Sequence, residues 1–232
     1  MKECRLIQRI FDIFFSALGL LFLSPVLVLI IIVLRVTGEG EIFFLQNRVG
    51  KHGRCFGVMK FATMLKDSPN IGTRTITLAD DPRILPFGAF LRKTKINELP
   101  QLINVLKGDM SLIGPRPLTE ENFAAYSIDV QNKVTSVRPG VSGVASVIFR
   151  NEETLLTDKA IAIETYRDSI APYKGALELW YVENNSPVLY FKLIFATIHV
   201  VIVPSSTIIW RLLPNLPKPP KDFHDKLYYA NS

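Results

Sequence analysis

Residues 10–34 form a 25-residue run in which only Asp12, Ser16, Gly19, Ser24 and Pro25 interrupt apolar side chains. A straight helix of that length would reach about 38 Å at ~1.5 Å per residue, against about 30 Å for a hydrocarbon core. A single membrane span is the simplest reading. A cleaved signal peptide fits less well, because the run is too long and no small-x-small site follows it. Two details oppose a plain span. Pro25 removes an amide donor and crowds the carbonyl four residues back, that of Leu21. The pieces on either side, 10–23 and 26–34, would be roughly 21 and 14 Å long as helices. Basic residues also flank both ends: Lys2, Arg5 and Arg9 before, Arg35, Arg48, Lys51 and Arg54 after. Lys and Arg collect on the cytoplasmic side, so both ends are expected there, with the chain dipping into one leaflet as a hairpin broken at Ser24-Pro25. The Ser24 hydroxyl is available to the backbone polar groups exposed by such a bend. A proline-kinked span is the competing reading.

A second greasy segment, 188–210, is interrupted by Lys192, His199 and Pro204 and flanked by Trp180, Tyr181, Tyr190 and Trp210, which predicts interfacial helices rather than a span. The Pro-rich basic stretch 214–221 reads as an extended segment near anionic headgroups. Twenty-seven Lys+Arg against 21 Asp+Glu leave a formal charge of +6, and 48% of residues are hydrophobic. That composition excludes intrinsic disorder and collagen-like architecture. Cys4 and Cys55 cannot build a disulfide framework, and neither the cysteines nor the scattered His52, His199 and His224 have zinc spacing. A basic, membrane-associated protein facing a reducing cytoplasm is expected.

Between the greasy ends the pattern is that of a small α/β unit, giving boundaries at 1–36, 37–187 and 188–232. Strands are expected over 41–46 and 55–61, separated by a turn at 49–53, and another turn at 80–83. Helices are expected over 87–93 and 98–106, the latter capped by Asn97, and over 120–134 and 155–168. Rigid Gly/Pro loops fall at 113–117 and 138–143. Arg48, Lys60, Arg83, Arg92, Lys93, Lys95, Arg116 and Arg138 all lie near Gly/Pro turns. Any one of them taken alone is a solvated surface charge. Together, beside a membrane, they point to a phosphorylated substrate or lipid headgroups, because guanidinium forks and turn amides both hold phosphate oxygens. Nucleic acid is the competing polyanion, but no zinc finger, RNP motif or basic helix supports it.

The motifs Asp81-Pro82-Arg83, Leu91-Arg92-Lys93, Asn97-Glu98-Leu99-Pro100-Gln101-Leu102, Gly108-Asp109-Met110-Ser111 and Gly114-Pro115-Arg116-Pro117 carry a resemblance. So do Arg9-Ile10-Phe11-Asp12, the Ser24-Pro25 break, Gln46-Asn47-Arg48-Val49-Gly50, Lys60-Phe61, Arg138-Pro139-Gly140 and Tyr181-Val182-Glu183-Asn184. In these the chain resembles the bacterial sugar transferases, small monotopic phosphoglycosyl transferases that begin polyprenol-linked glycan assembly. The resemblance covers nearly the whole chain.

It implies a monotopic α/β protein: a re-entrant membrane helix, interfacial amphipathic helices and a small catalytic domain on the cytoplasmic face of the bacterial inner membrane. It further implies a Mg²⁺-dependent transfer of phosphosugar from a UDP-sugar to undecaprenyl phosphate, releasing UMP, the first membrane step of a surface glycan. An adjacent Asp-Glu pair is central in the family, the Asp attacking the sugar-bearing phosphate. Here the pair reads Asn97-Glu98. Three explanations stand open: Glu98 acts as nucleophile and Mg²⁺ ligand; the lipid phosphate attacks directly while Glu98 holds the metal; or the chain is impaired and binds sugar nucleotide or partner proteins at the membrane. Lys60, Arg83, Arg92, Arg116 and Arg138 are the expected phosphate holders. Ala62 replaces the usual arginine after Lys-Phe, and Val144-Ala145-Ser146 stands where Trp-Gln is common. Glu178 occupies a position that is often acidic in the family, the alternative being an ordinary surface carboxylate.

Overall fold

The computed structural model describes residues 2–70, 81–150, 152–155, 164, 166–223 and 227. The expected helix over 155–168 falls largely outside them. The architecture is mixed helix and sheet, but the strands form two separate pairs rather than one α/β sheet.

Helix α1 runs unbroken over Lys2–Val36, through Pro25. The break expected there does not separate two helices. Pro25 leaves the Leu21 carbonyl without its usual amide, and the Ser24 hydroxyl donates to that oxygen at 2.7 Å. Residues 6–36 are long and apolar enough to cross a membrane by length and composition, and 11% of their most apolar window is buried.

The hairpin β1 (Phe43–Val49) and β2 (Cys55–Phe61) pairs antiparallel from Phe43 opposite Phe61 to Val49 opposite Cys55. Its connection is a 3₁₀ turn in which His52 adopts φ 58°. Helix α2 (Pro86–Lys93) starts on proline, one residue ahead of the expected 87–93. Gly88 lets it close on the strand side, since a Cβ there would lie 2.2 Å from the Thr63 carbonyl oxygen. A short 3₁₀ turn at Ile96–Glu98 precedes α3 (Gln101–Lys107).

The second sheet pairs β3 (Ser111–Ile113) in parallel with β4 (Gly140–Ser142). The crossover is not the single helix expected over 120–134. It is α4 (Glu120–Phe123) and α5 (Ile128–Val134), each started by its own cap. Thr119 accepts from the Asn122 amide at 3.3 Å and Ser127 from the Val130 amide at 3.4 Å, as N-cap hydroxyls do. The Gly-Pro-Arg-Pro loop after β3 lies directly on the backbone of β4. A Cβ on Gly140 would sit 2.1 Å from the Gly114 nitrogen, so only glycine fits this crossing.

Helix α6 (Val144–Ile148) follows, and then a π turn at Tyr166–Ile170 runs into α7 (Ala171–Asn184). Helix α8 (Pro187–Ile202) and the short α9 (Ile208–Leu212) occupy the second greasy segment, where helices were expected. The largest core gathers Ile113, Val144, Ile170, Leu177, Tyr181, Tyr190 and Leu193, so α6, α7 and α8 share one interior.

Helix α1 is fastened to this body along its length. Near its start, Asp12 is buried and accepts from Ser111 Oγ (3.0 Å), the Leu112 amide (2.9 Å) and Tyr190 Oη (2.9 Å). Arg9 donates to the Val105 and Leu106 carbonyls at the end of α3 at 2.6 and 3.0 Å, where cations complement the helix dipole. Gly19 abuts Leu102. At the far end, Ile30 and Leu34 pack with Phe61 and Leu91. The opposite side of α1 exposes Phe14, Leu18, Leu21, Phe22, Val28, Leu29 and Ile32, and α8 exposes Val188, Phe195, Ile198 and Ile202.

Candidate active site

Five segments meet at one cleft of about 620 Å³. β1 brings Arg48, β2 brings Lys60, the 3₁₀ turn brings Asn97 and Glu98, and the loop after β3 brings Arg116. The last turn of α2 adds Arg92, and Lys95 follows it.

Glu98 is the centre of this cluster. Its Oε1 accepts from Lys60 Nζ at 3.0 Å and from Arg116 Nη2 at 2.9 Å, with the Lys60 and Glu98 side chains 18% and 16% exposed. Burial works to raise its pKa, but the Arg116 and Lys60 charges overrule it and hold the carboxyl well below its ordinary range. Burial lowers Lys60 to about 8 despite Glu98. Burial also lowers Arg48 to about 10, with the Arg116 charge adding to it. Glu98 raises Arg116.

Local geometry explains the convergence. Asn104, on α3, is buried and donates to the Gly57 carbonyl at 2.9 Å while accepting the Met59 amide at 3.0 Å. This locks α3, and the turn before it, onto β2 next to Lys60. Arg48 reaches over to the Pro117 carbonyl at 3.3 Å. The Arg116 amide donates to Glu178 Oε1 at 3.0 Å, and Tyr181, one turn later on α7, donates to the Ile113 carbonyl at 3.1 Å. Glu178 is thus no surface carboxylate: it is 1% exposed. Burial raises it to about 7 against the Arg116 amide and the Lys174 and Arg116 charges.

Of the five expected phosphate holders, Lys60, Arg92 and Arg116 line the cleft; Arg83 and Arg138 do not. Arg83 folds back on its own turn, donating Nε to Asp81 Oδ1 at 2.8 Å and Nη1 to the Ser68 carbonyl at 3.0 Å. Arg138 gives Nε to the Gly108 carbonyl at 2.9 Å, just past the end of α3, where unpaired carbonyls collect cations. Ser24 and Pro25 lie on α1 and outside the cleft lining.

Asn97 does not cap a helix as expected. The turn enters through Lys95 at φ 61° and α3 begins only after Pro100. Asn97 is 5% exposed, and its Oδ1 has no hydrogen-bond partner among the described residues. Ala62, Ala145 and Ser146 line the cleft, whereas Val144 belongs to the core.

Sequence reasoning missed Arg150, Glu152, Tyr166 and Lys174, which close the other side. Lys174 donates to both Glu152 oxygens at 2.9 Å, with its ammonium 5.4 and 5.6 Å from the Phe149 and Tyr166 ring centres. A lysine inside a helix, far in sequence from the Gly/Pro loops, gave no signal.

Among the described residues no three His, Cys, Asp or Glu side chains converge into a metal cage. Mg²⁺ commonly takes one or two carboxylates and fills its sphere with substrate phosphate oxygens and water. Glu98 fits that mode, because both cations bind Oε1 and leave Oε2 without a hydrogen bond among the described residues. The arrangement as a whole can hold polyphosphate in a partly desolvated, cation-rich site beside an apolar face.

The sequence profile described as bacterial sugar transferase matches residues 3–204. The uncharacterized sugar transferase EpsL of Bacillus subtilis is 35% identical over 198 residues, covering 85% of this chain and 88% of that protein. The undecaprenyl-phosphate galactose phosphotransferase of Salmonella typhimurium is 33% identical over 216 residues, which is 87% of this chain and 41% of that one. The undecaprenyl-phosphate glucose phosphotransferase of Komagataeibacter xylinus is 33% identical over 196 residues, covering 82% and 35%. The profile thus takes in α1, the cation cluster around Glu98 and all of α8, and the chain belongs to the bacterial sugar transferase family.

Proposed function

We propose that the chain transfers phosphosugar from a UDP-sugar to undecaprenyl phosphate, releasing UMP, at the cytoplasmic face of the bacterial inner membrane. The observation that carries this reading is the placement of the Glu98–Lys60–Arg116 cluster in a cleft whose lining also includes Thr197 and Val201 of α8, a helix with an exposed apolar side. A water-borne dianion and a lipid-borne one have a common meeting place there. The relatives named for undecaprenyl-phosphate sugar transfer support the same chemistry.

The chain's own groups supply charge and position. Arg48, Lys60 and Arg116 neutralise diphosphate oxygens, and bidentate guanidinium contacts orient them. Glu98 keeps Lys60 protonated and Arg116 aimed. Mg²⁺, when bound, would be held by Glu98 Oε2 and would neutralise charge on the diphosphate.

The monotopic placement is part of the proposal. From Asp12 to Ile30 a helix covers about 27 Å, yet both places touch the same compact body. A helix crossing the bilayer from that body would carry one end away from it. The contacts therefore support a membrane element that leaves both its ends on the domain's side.

The test is UMP release across a panel of UDP-sugars, expected only when undecaprenyl phosphate and Mg²⁺ are both supplied. Full turnover by Glu98→Gln would refute the assignment of Glu98. The amide at position 97 favours a second reading, an impaired member that binds sugar nucleotide or recruits partners. On that reading the natural chain is silent and Asn97→Asp raises UMP release by orders of magnitude.

A further inference from the structure

We infer that Ser146, Glu152 and Tyr166 form the sugar subsite of the cleft, taking an uncharged hexose by its ring hydroxyls and turning away uronic acids. The inference rests on the UDP-sugar donor of the transfer reaction proposed above. All three side chains line the cleft, and none belongs to the cation cluster around Glu98.

The Glu152–Lys174 pair gives the subsite its character. The Lys174 side chain is 4% exposed, whereas that of Glu152 is 28% exposed. Lys174 spends two of its three N–H donors on the Glu152 oxygens, both at 2.9 Å. The Phe149 and Tyr166 rings flank the rest of its ammonium. The pair therefore shows the cleft its carboxylate and not its cation. Each carboxylate oxygen keeps capacity for another donor, which suits sugar hydroxyls. A uronic acid would bring a second carboxylate against the first, a like-charge contact that disfavours it.

Ser146, on α6, adds a second observation. Its Oγ is shut away from solvent and has no hydrogen-bond partner among the described residues. Turning this hydroxyl about its Cα–Cβ bond toward a ligand breaks no hydrogen bond. An unsatisfied polar group beside a cleft calls for a partner that the ligand can bring.

Position is the third observation. In a UDP-sugar the hexose is bonded directly to the diphosphate, so its subsite has to adjoin the phosphate-holding cations. Burial raises the Tyr166 phenol, and the charges acting on it are those of Lys174 and Glu152 together with Arg48 and Arg116. The phenol is thus within electrostatic reach of both groups, at the place where hexose and diphosphate join. Arg150 also lines the cleft, but Glu98 acts on it against the effect of burial, which assigns it to the phosphate end.

The experiment measures calorimetric affinities of the full chain in nanodiscs with Mg²⁺. Its probes are UDP and two pairs differing only at C6, UDP-glucose with UDP-glucuronate and UDP-galactose with UDP-galacturonate. In at least one pair the neutral member should bind at least about tenfold more tightly. Ser146→Ala should weaken the preferred hexose donor about three- to tenfold, the scale of one hydrogen bond, and leave UDP binding and the melting temperature unchanged. Glu152→Gln keeps the cation without its carboxylate and should shrink the preference for the neutral donor by about tenfold. Glu152→Gln combined with Lys174→Met, which leaves no buried ammonium unpaired, should shrink it as well. Equal or tighter binding of both uronates, or variants that weaken UDP and UDP-hexose alike, would overturn the inference. UMP release with undecaprenyl phosphate is followed in parallel. Turnover without the neutral preference would overturn the subsite and leave the transfer standing; the preference without turnover from any donor would overturn the transfer and leave the subsite standing.

Discussion

Glu98 accepts from Lys60 and Arg116 through one oxygen, so its loss would leave two partly buried cations facing each other as well as an unheld substrate. Glu98→Gln is therefore expected to lower turnover by at least about 100-fold, read as UMP release, with the fold retained by circular dichroism. Lys60 adds a pH limit. Burial lowers it to about 8, so the ammonium is lost as pH rises through that value and activity should fall on the alkaline side. Lys60→Arg, which stays charged, should move that limb upward; an unchanged profile would detach the limb from Lys60. Glu178 acts on stability instead. Burial raises it to about 7 from an ordinary 4.5, so the folded chain holds an extra proton between those values. Its contribution is fully present below about 4.5 and is lost as pH rises through 7, by up to about 3 kcal/mol. Glu178→Gln should flatten that dependence in thermal melts taken from pH 5 to 8. Much of this was legible at the level of motifs, which singled out Asn97, Glu98, Lys60, Arg92 and Arg116. Arg83 and Arg138 fall outside the cleft lining for a physical reason: Asp81 holds the first and the Gly108 carbonyl at the end of α3 the second, and a cation near a turn does not by itself reveal that capture. Lys174 and Glu152 were invisible because only tertiary packing brings α7 against the cleft.

The elements show the same division. The β1–β2 hairpin and α2 were legible because alternation, turn residues and a starting proline are local signals. The single helix expected over 120–134 was wrong because Thr119 and Ser127 each start a helix of their own, and hydroxyl caps compete well with continuation. The helix expected to begin at Asn97 starts later because Lys95 enters the left-handed region and the chain first makes a 3₁₀ turn. The joint between α1 and the domain is an element-scale prediction. Asp12 satisfies a hydroxyl on β3, a backbone amide and the Tyr190 phenol together. Asp12→Ala leaves all three buried donors unpaired and should cost about 2–4 kcal/mol, seen as a lowered melting temperature in detergent. Tyr190→Phe removes one of those donors cleanly and should cost less.

For the molecule as a whole, the expected hairpin and the continuous α1 differ in local geometry but not in what they ask of topology. Flanking charges gave the same-side expectation, and the contacts of α1 at Asp12, Gly19 and Ile30 supply an independent argument for it. A tag at the N-terminus and a cysteine replacing exposed Thr37 should both react with an impermeant reagent only when the cytoplasmic face is open. Labelling from opposite faces would contradict the monotopic placement. The line of attachments along α1 has one more consequence. On the proposed monotopic placement, these contacts tie the height of Glu98 above the headgroups to the protein rather than to the bilayer. Lipids of different chain length should alter how firmly the molecule is moored, while each moored molecule works at the same pace.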